Sequence, residues 1–401
     1  MKIAAMRWID RWIGIPLCFF ASLAETLFQR IASARPSRSV KKIAFIKLSE
    51  LGAILLAYPL MRSMKEKFPK ADLFFLTFAR NAEVFGLFPG LIRREDLLLI
   101  REDSFWHFLS DVFLALNRLR RERVDILFDL EFFSRASVLL AYFSGALKRI
   151  GFDRYTFEGL YRGRLLTHKV QYNPHLHVAE SYEILSQAAD QEKKESPEFF
   201  SRGDAFRVSF PEYRSVPGAR ESILKKLGAI GIGQEKRIYL VNPGEGMLPL
   251  REWPLENFVS LAGKILEDER NAVLVVGTET AHPKAALFLS AADHPHCRSL
   301  VGETRLQELM ELFQLSRALI TNDCGLAHLA MLTPVKKFIF FGPESPKVFA
   351  PLTGPTHIFY THFPCSPCLS ALNHRESACR DNRCLKAITP EEVFRSVQAA
   401  N

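Results

Sequence analysis

The stretch KIAFIKLSELGAILLAYPLMRSMKEKF (residues 42–68) decides the fold. It opens with a continuous apolar run, turns through SELGA (residues 49–53) and continues with apolar residues at helical spacing. Short apolar strands that alternate with helices are typical of a parallel sheet covered on both faces. The stretch therefore predicts an α/β protein, and it places a polar turn that contains Glu50 at the carboxyl end of a strand.

The alternation of strands and helices occurs twice in the 401 residues of the chain. Further apolar strands are predicted at 71–78 and 124–130 in the first series, and at 237–244, 271–278, 318–323 and 336–343 in the second. A polar, proline-containing stretch (191–218) separates the two series. We predict two Rossmann-like, doubly wound domains that face a cleft, with ligands at the carboxyl ends of their strands. Their expected bounds are residues 41–205 and 206–388, and a C-terminal helix is expected in residues 389–401.

Residues 1–40 are predicted to form an amphipathic helix and a linker. The apolar run from Trp12 to Ala24 is shorter than the ~20 residues that a membrane-spanning helix needs. Its large apolar side chains recur every three or four residues, and arginines and lysines flank it. This pattern is typical of a helix lying in a bilayer interface, and the alternative is a helix packed on the protein itself. Pro16 is expected to kink the helix or to start a second one.

Composition restricts the partners. The formal net charge is +9, which suits an anionic partner such as a membrane surface or a phosphorylated small molecule. Nucleic acid is the least favoured partner, because no run of Lys and Arg with interleaved aromatic residues occurs. Nothing in the sequence resembles a cleaved signal peptide, so we expect a cytoplasmic protein.

The strongest binding-site pattern is LITNDCGLAHLAMLTPVKKFIFFGPESP (residues 319–346). A strand ends at Asp323, Cys324 and Gly325 turn the chain, and a helix follows. Backbone N–H groups at a helix start favour an anion such as a diphosphate, and Asp323 has acceptors for sugar hydroxyls. The alternative is that Asp323 only caps the helix.

A second loop, NPGEGMLPLREWPLENF (residues 242–258), follows a predicted strand. Arg251 lies just before a helix start, where a guanidinium group can bind a phosphate through two hydrogen bonds. The alternative is a solvated arginine. No P-loop, HExxH or G-x-S-x-G motif occurs in the sequence.

These loops, in this order, resemble those of the heptosyltransferases of glycosyltransferase family 9. The similarity runs from about Lys42 to the C-terminus and is carried by residues 46–69, 125–154, 242–254, 275–278, 321–330 and 341–346. The resemblance implies the GT-B fold, with two Rossmann-like halves. It also implies an inverting, metal-independent transfer of a sugar, typically heptose from ADP-heptose, to the inner core of lipopolysaccharide.

The resemblance also assigns donor-binding residues. The family has a Lys or Arg on the donor diphosphate, and Arg251 stands at that position. The donor motif D-[TS]-G-x-x-H falls on Asp323, Cys324, Gly325 and His328, with Cys324 in place of the usual hydroxyl residue. The acidic residue that contacts the donor ribose has no clear match: Ala281 is near its place, and Glu279 is the candidate substitute.

The resemblance leaves the general base open. The family has an aspartate directly after the loop glycine, where this chain has Ala53. Loss of a general base typically costs about 10²–10⁴-fold in rate. Glu50 in the same turn is the first candidate, and Glu131 or Asp129 at the end of a later strand is the second. The third possibility is a protein that binds without catalysis. The acceptor is expected to meet this half of the chain near Lys47, Ser49 and Arg135.

Four of the seven cysteines cluster in CSPCLSALNHRESACRDNRC (residues 365–384). The thiolates of Cys365, Cys368, Cys379 and Cys384 would suffice for a tetrahedral structural zinc site, with His374 as a spare ligand. The alternative is reduced free thiols or disulfides formed on isolation. No catalytic metal is expected.

Together these patterns predict a glycosyltransferase on the cytoplasmic face of the inner membrane, with a nucleotide-sugar donor and a lipid-linked glycan acceptor. A second hypothesis is a non-catalytic protein that binds sugar nucleotides and has lost its base. A nucleotide-sugar epimerase on the same fold is a third, but the acid and base residues that it needs in the donor half are not found.

Overall fold

The computed structural model describes residues 10–31, 39–153, 161–192, 197–198, 200, 209–244, 249–373 and 375–400. The chain divides into two compact units, which are Met1–Ser209 with Ala371–His374, and Phe210–Ser370 with Arg375–Asn401. The predicted domain boundary between residues 205 and 206 lies outside the described residues, and so do residues 32–38 of the predicted N-terminal helix and linker.

The first unit contains a parallel sheet of six strands in the order β3-β2-β1-β4-β5-β6. The strands are β1 (Lys42–Ile46), β2 (Asp72–Phe78), β3 (Leu97–Ile100), β4 (Ile126–Asp129), β5 (Lys148–Asp153) and β6 (His168–Gln171). Its helices are α1 (Gly14–Ile31), α2 (Leu51–Leu56), α3 (Tyr58–Lys67), α4 (Phe105–Glu122), α5 (Arg135–Phe143) and α6 (Val178–Gln187).

The second unit repeats this topology, with six parallel strands in the order β12-β11-β10-β7-β8-β9. The strands are β7 (Arg237–Asn242), β8 (Asn271–Val275), β9 (Cys297–Ser299), β10 (Ser316–Asn322), β11 (Lys336–Phe340) and β12 (Thr356–Phe359). Its helices are α7 (Pro217–Ala229), α8 (Leu255–Leu266), α9 (His282–Ala292), α10 (Leu306–Leu315), α11 (Gly325–Ala330), α12 (Pro346–Phe349), α13 (Arg383–Lys386) and α14 (Pro390–Ala399). The prediction of two doubly wound parallel sheets is confirmed.

The helix predicted after β1 is divided into α2 and α3 at Ala57. Pro59 lies in the first turn of α3, where the missing N–H of proline costs no intrahelical hydrogen bond. A proline inside one continuous helix would have broken it, so the chain starts a new helix instead.

The two faces of the first sheet have different coverings. On one face, Ala115 and Leu119 of α4 share a hydrophobic core with Leu140 and Ala141 of α5. Strand residues that alternate with this set form an aromatic stack in which the ring of Phe128 lies 5.4 Å from that of Phe45. Helix α1 packs beside α5 and so extends the layer formed by α4 and α5.

The contact face of α1 differs from the face predicted from its large side chains. The small residues Gly14, Cys18, Ala21 and Ser22 are buried, whereas Phe19, Leu23 and Leu27 are exposed. Among the described residues, no helix combines the length and the apolar character required to cross a bilayer. The helix therefore packs on the protein through one face and presents its large apolar side chains on another.

Replacement of Phe128 by alanine is expected to lower the free energy of unfolding by about 3–5 kcal/mol, because the fully buried ring leaves a cavity between close-packed neighbours. The measurement is urea unfolding followed by circular dichroism. Phe113→Ala, which removes a ring that is 65% exposed, is the control and should change the value by no more than about 0.5 kcal/mol. Equal effects of the two substitutions would contradict the packing described.

Candidate functional site

Each sheet has a switch point where the order of strands reverses, and in doubly wound proteins ligands bind outside the carboxyl ends of the strands there. The switch point lies between β1 and β4 in the first sheet and between β7 and β10 in the second. The loops that leave these strands carry most of the predicted site residues.

In the first unit, Lys47 connects the two loops at the switch point. Its ammonium group is almost fully buried and donates to Oε2 of Glu131 at 2.7 Å and to Oε2 of Glu50 at 3.3 Å. The other carboxylate oxygen of Glu131 accepts from the backbone N–H groups of Leu48 at 2.8 Å and Ser49 at 3.3 Å. Glu131 thus fixes the loop after β1, and four of the predicted residues, Lys47, Ser49, Glu50 and Glu131, come together here.

Glu50 is the more accessible of these two carboxylates. Its side chain is 22% exposed, against 13% for Glu131. Its backbone is left-handed, with φ of 68°, a conformation that is costly for a side chain with a Cβ atom and that recurs at functional sites. Ala53 follows in the first turn of α2, and its N–H donates to the carbonyl of Glu50 at 2.9 Å. The turn therefore offers Glu50 at its rim and no side-chain acceptor at position 53.

Asp129 has a different environment. It is completely buried, and its carboxylate accepts from Ser137 Oγ, from Arg162 and from the N–H of Glu131, at 3.0, 3.0 and 3.1 Å. Burial raises the pKa of Asp129 to about 6, although the Arg162 guanidinium opposes this shift. These contacts assign Asp129 to holding the loop between β4 and α5.

Arg135 is also committed within the protein. It is buried at the start of α5, where Nε donates to the carbonyl of Tyr161 at 2.9 Å and a terminal nitrogen to the carbonyl of Asp10 at 3.2 Å. Its predicted place among the acceptor-binding residues stays a prediction. The sequence did not reveal these hydrogen bonds, because both partners are distant in the chain.

In the second unit, Arg251 connects the two loops at the switch point. One terminal nitrogen donates to the carbonyl of Asp323 at 2.8 Å and to its carboxylate at 2.5 Å. Burial favours neutral Arg251, but the carboxylates of Asp323 and Glu344 outweigh it and hold the pKa of Arg251 above its usual value. Its Nε is buried and has no hydrogen-bond partner among the described residues, so a donor remains for a bound anion.

The backbone around this pair is held rigidly. The side-chain amide of Asn322 accepts from the N–H of Trp253 at 2.8 Å and donates to the carbonyl of Pro243 at 3.3 Å. Trp253 is buried and stacks on Phe340, with 4.3 Å between ring centroids. Arg251 and Asp323 therefore extend from two loops that are fixed to each other.

The rest of the predicted donor motif lies directly after Asp323. Cys324 precedes α11 and its sulfur lies 3.2 Å from Thr321 Oγ1, while His328 is buried in the helix. Helix α11 has only six residues, so its dipole is small, whereas Arg251 carries a full positive charge next to Asp323. Gly325 begins the helix.

Glu279 does not join this group. It is exposed in a single turn of 3₁₀ helix (Glu279–Ala281) after β8, next to Gly302. Among the described residues, it makes no hydrogen bond or ion pair with Arg251 or Asp323. Its assignment to the donor ribose stays a prediction.

Glu344, a residue that the sequence reasoning missed, faces the Arg251–Asp323 pair. It is 1% exposed, and the guanidinium Nε of Arg375 lies 3.2 Å from its Oε1. Burial raises the pKa of Glu344 to about 8, Arg251 opposes the shift and Asp323 adds to it. The signal was present as a carboxylate in the Gly-Pro loop after β11, within a stretch already recognised as a binding loop.

The four clustered cysteines, Cys365, Cys368, Cys379 and Cys384, lie in the described part of the chain. Within the described part of the chain, no three His, Cys, Asp or Glu side chains are arranged to hold an ion. Burial raises the pKa of the Cys384 thiol to about 11, whereas Cys365 is exposed and Cys379 donates to the carbonyl of Asp381. The structural zinc site stays a prediction, and its spare ligand His374 lies outside the described residues.

Comparison with known proteins identifies the family. The family model for glycosyltransferase family 9 (heptosyltransferase) matches residues 114–378, about two thirds of the chain. The chain belongs to glycosyltransferase family 9. The matched region of this family 9 protein contains the whole second switch point, between β7 and β10, and the β4 side of the first one.

Relatives and solved structures agree with this family. Lipopolysaccharide heptosyltransferase 2 of Escherichia coli is 32% identical over 114 residues, which are 28% of this chain and 32% of the relative. Lipooligosaccharide heptosyltransferase 2 of Haemophilus influenzae is 28% identical over 38% of this chain and 45% of the relative. The chain thus matches less than half the length of these relatives.

The structural likeness is more extensive. The structure of E. coli ADP-heptose lps heptosyltransferase II has a TM-score of 0.66 at 20% identity, covering 90% of this chain and 98% of that one. A family 9 glycosyl transferase from Veillonella parvula has a TM-score of 0.69 at 15% identity, covering 90% and 97%. The GT-B architecture predicted from the sequence is confirmed.

Glu344→Gln is expected to remove a pH dependence of stability from this family 9 protein. The ordinary pKa of 4.5 applies in the unfolded chain and about 8 in the folded protein, so the folded state retains a proton that the unfolded chain loses. The free energy of unfolding should therefore fall as the pH rises from about 5 to 8, by roughly 1–3 kcal/mol. Urea unfolding across this range measures the slope.

The glutamine variant, which is neutral at every pH, should give a flatter profile. Glu221→Gln, at an exposed position in the same unit, should leave the slope of the unmodified protein unchanged. The same slope in Glu344→Gln and in the unmodified protein would show that Glu344 is already ionised in the folded state.

Proposed function

We propose that this protein is an inverting, metal-independent glycosyltransferase that transfers a heptose or related sugar from a nucleotide sugar, with ADP-heptose as the first candidate. The proposed acceptor is the lipopolysaccharide core or another lipid-linked surface glycan. The observation that carries the proposal is the Arg251–Asp323 pair at the switch point of the second sheet, in a chain of family 9. The names of the relatives, which are heptosyltransferases, support the choice of sugar.

The second unit is the proposed donor site. A donor diphosphate would compete with Asp323 for the guanidinium group of Arg251, whose unpartnered Nε supplies a further donor. Charge-assisted hydrogen bonds of this kind are stronger than hydrogen bonds between neutral groups, especially where the site is partly shielded from water. Asp323, once released, can accept hydrogen bonds from sugar or ribose hydroxyls. The motif residues Cys324, Gly325 and His328 are proposed to border the same ligand, and Glu279 is the proposed ribose contact.

The first unit is the proposed acceptor site, with Glu50 as the general base. Asp129 is buried and triply hydrogen-bonded, and Glu131 is engaged by Lys47 and two backbone N–H groups. Removing either carboxylate from its partners would dismantle the loop. Glu50 is the candidate that can take up a proton at least structural cost, with Lys47 balancing its charge. Ser49 and Lys47 are proposed acceptor contacts in the same loop.

The reaction follows from these roles. The acceptor hydroxyl gives its proton to Glu50 while its oxygen attacks the anomeric carbon on the face opposite the diphosphate. The bond between that carbon and the diphosphate oxygen breaks, and the electron pair leaves with the nucleotide diphosphate. Arg251 stabilises the developing negative charge, which accounts for a transfer without a metal ion. One displacement inverts the anomeric configuration.

The second candidate is a protein that binds sugar nucleotides without catalysis. The observation that favours it is Ala53, which leaves the family's base position without an acceptor. For either candidate, we propose a place on the cytoplasmic face of the inner membrane, with contact through the exposed apolar side chains of α1.

Arg251→Ala is expected to weaken the binding of ADP-heptose or ADP at least tenfold, because a charge-assisted contact to the diphosphate is worth about 1.5–3 kcal/mol. Isothermal titration calorimetry measures the dissociation constant. Arg270→Ala, which removes an exposed arginine of the same unit, should bind as the unmodified protein does. Unchanged affinity in Arg251→Ala would exclude this arginine from the donor site.

Glu50→Gln is expected to lower the rate of nucleotide release in the presence of acceptor by about 10²–10⁴-fold, with donor affinity unchanged, because the amide cannot accept the proton. The assay is turnover of ADP-heptose on a lipid-linked core acceptor with EDTA present. Glu66→Gln, at an exposed site nearby in the sequence, is the control. Full turnover in Glu50→Gln would reject Glu50 as the base, and donor binding without turnover in the unmodified protein would favour the second candidate.

A further inference from the structure

Helix α4 exposes an unusual number of large apolar side chains. Trp106 is 76% exposed, Phe113 65% and Leu114 63%, and Phe105 and Leu109 are also on the surface. The opposite side of the same helix is buried through Ala115 and Leu119. An amphipathic surface helix has one apolar face, whereas α4 has two. Packing on the sheet explains the buried face but not the exposed one.

Helix α1 exposes a second apolar set, which consists of Leu17, Phe19, Phe20, Leu23 and Leu27. The small residues Cys18 and Ala21 contact the body of the unit near Val138 of α5. The packing of α1 on the first unit therefore does not bury this exposed set of side chains.

The two sets lie on the same side of the first sheet. Residues of α4 and α5 belong to one core with Ala44 and Ile46 of β1, so both helices cover the same sheet face. Helix α1 packs on α5 in that same layer. The exposed side chains of α1 and of α4 therefore lie on the same outward side of the first unit, and we name the two sets together the α1–α4 surface.

Positive charge accompanies this surface. The exposed residues Arg120 and Arg121 lie in the last turn of α4, and Arg11 and Trp12 precede α1. Across the sequence, residues 1–209 contain 32 Lys and Arg against 24 Asp and Glu, whereas residues 210–401 contain 21 against 20. Nearly all of the net charge of +9 therefore belongs to the first unit.

We propose that the α1–α4 surface docks on an anionic lipid bilayer, with α4 as a second membrane-contact element beside α1. Tryptophan and phenylalanine side chains that enter the interface, bordered by arginines that meet lipid phosphates, are the chemistry of a helix lying on a membrane. A second copy of the chain fits this surface less well, because a two-fold contact would bring the same arginines together. The proposal builds on the suggested membrane contact of α1 but requires no transferase activity.

A direct connection joins this surface to the first-unit site. The carboxylate of Asp10 accepts from the N–H of Ala136 at 2.8 Å and from Ser134 Oγ at 3.3 Å, and its carbonyl accepts from Arg135. These residues begin α5, directly after the loop that carries Glu131. The segment that leads into α1 is thus fixed to the site loop, so docking would hold that loop at a constant position relative to the lipid surface.

The test is co-sedimentation of the full chain with vesicles of phosphatidylcholine, alone and mixed with phosphatidylglycerol. Binding is expected with the anionic vesicles and should weaken as salt increases. The double variant Trp106→Ser, Phe113→Ser should bind at least tenfold more weakly, because two large apolar side chains no longer enter the interface. The double variant Arg120→Glu, Arg121→Glu should lose most of the preference for anionic vesicles.

Leu287→Ser, which removes a side chain that is 63% exposed in the second unit, is the control and should bind as the unmodified protein does. Thermal unfolding by circular dichroism checks that each variant is folded, which is expected because the replaced side chains are on the surface. Light scattering gives the oligomeric state. Vesicle binding unaffected by the α4 variants would overturn the role of α4, and a dimer that those variants dissociate would assign the surface to a second copy. Donor affinity, measured separately, reports on the transferase proposal whatever the vesicles show.

Discussion

In each unit, one largely desolvated cation ties the loop after the first strand of the sheet to the loop after the fourth. Lys47 does this in the first unit by binding Glu131, and Arg251 does it in the second by binding Asp323. A buried charge without a partner is costly, so each cation requires its carboxylate and the two loops must stay together. The strand order reverses at this point in each sheet, which is where doubly wound proteins bind their ligands, and the ion pair joins the two loops there.

The two ion pairs have different consequences for function. The Arg251–Asp323 pair combines opposite charges that an anionic ligand can separate, and the third charged group, Glu344, is buried against them. A neutral Glu344 leaves the charges of the Arg251–Asp323 pair unchanged, whereas an ionised Glu344, next to Arg375, would add a second negative charge beside that pair. The protonation of a residue outside the D-[TS]-G-x-x-H motif therefore contributes to the electrostatics of the proposed donor site.

The first unit has a carboxylate close to the position where the family resemblance expects the general base. Ala53 lies in the first turn of α2, and the carbonyl that its N–H meets belongs to Glu50. A carboxylate three residues earlier, on a left-handed backbone, lies at the rim of the same turn. The other two candidate carboxylates are engaged in hydrogen bonds within the protein. Asp129 holds the loop before α5, and Glu131 holds the loop after β1. Under the proposed mechanism, transfer requires the acceptor hydroxyl to meet Glu50.

Local sequence patterns were enough to predict the alternation of strands and helices, the two doubly wound halves, and the loops that carry Arg251 and Asp323. These are local features, since apolar periodicity and turn chemistry operate over a few residues. Only the tertiary structure decided which charged residues are already engaged. Asp129 meets Arg162, Arg135 meets Asp10, and Glu344 faces Arg251, and such pairings between distant parts of the chain leave no mark in the spacing of residues. The same holds for α1 and α4: the sequence shows an apolar helix, but the packing of the sheet decides which apolar side chains are buried and which remain on the surface.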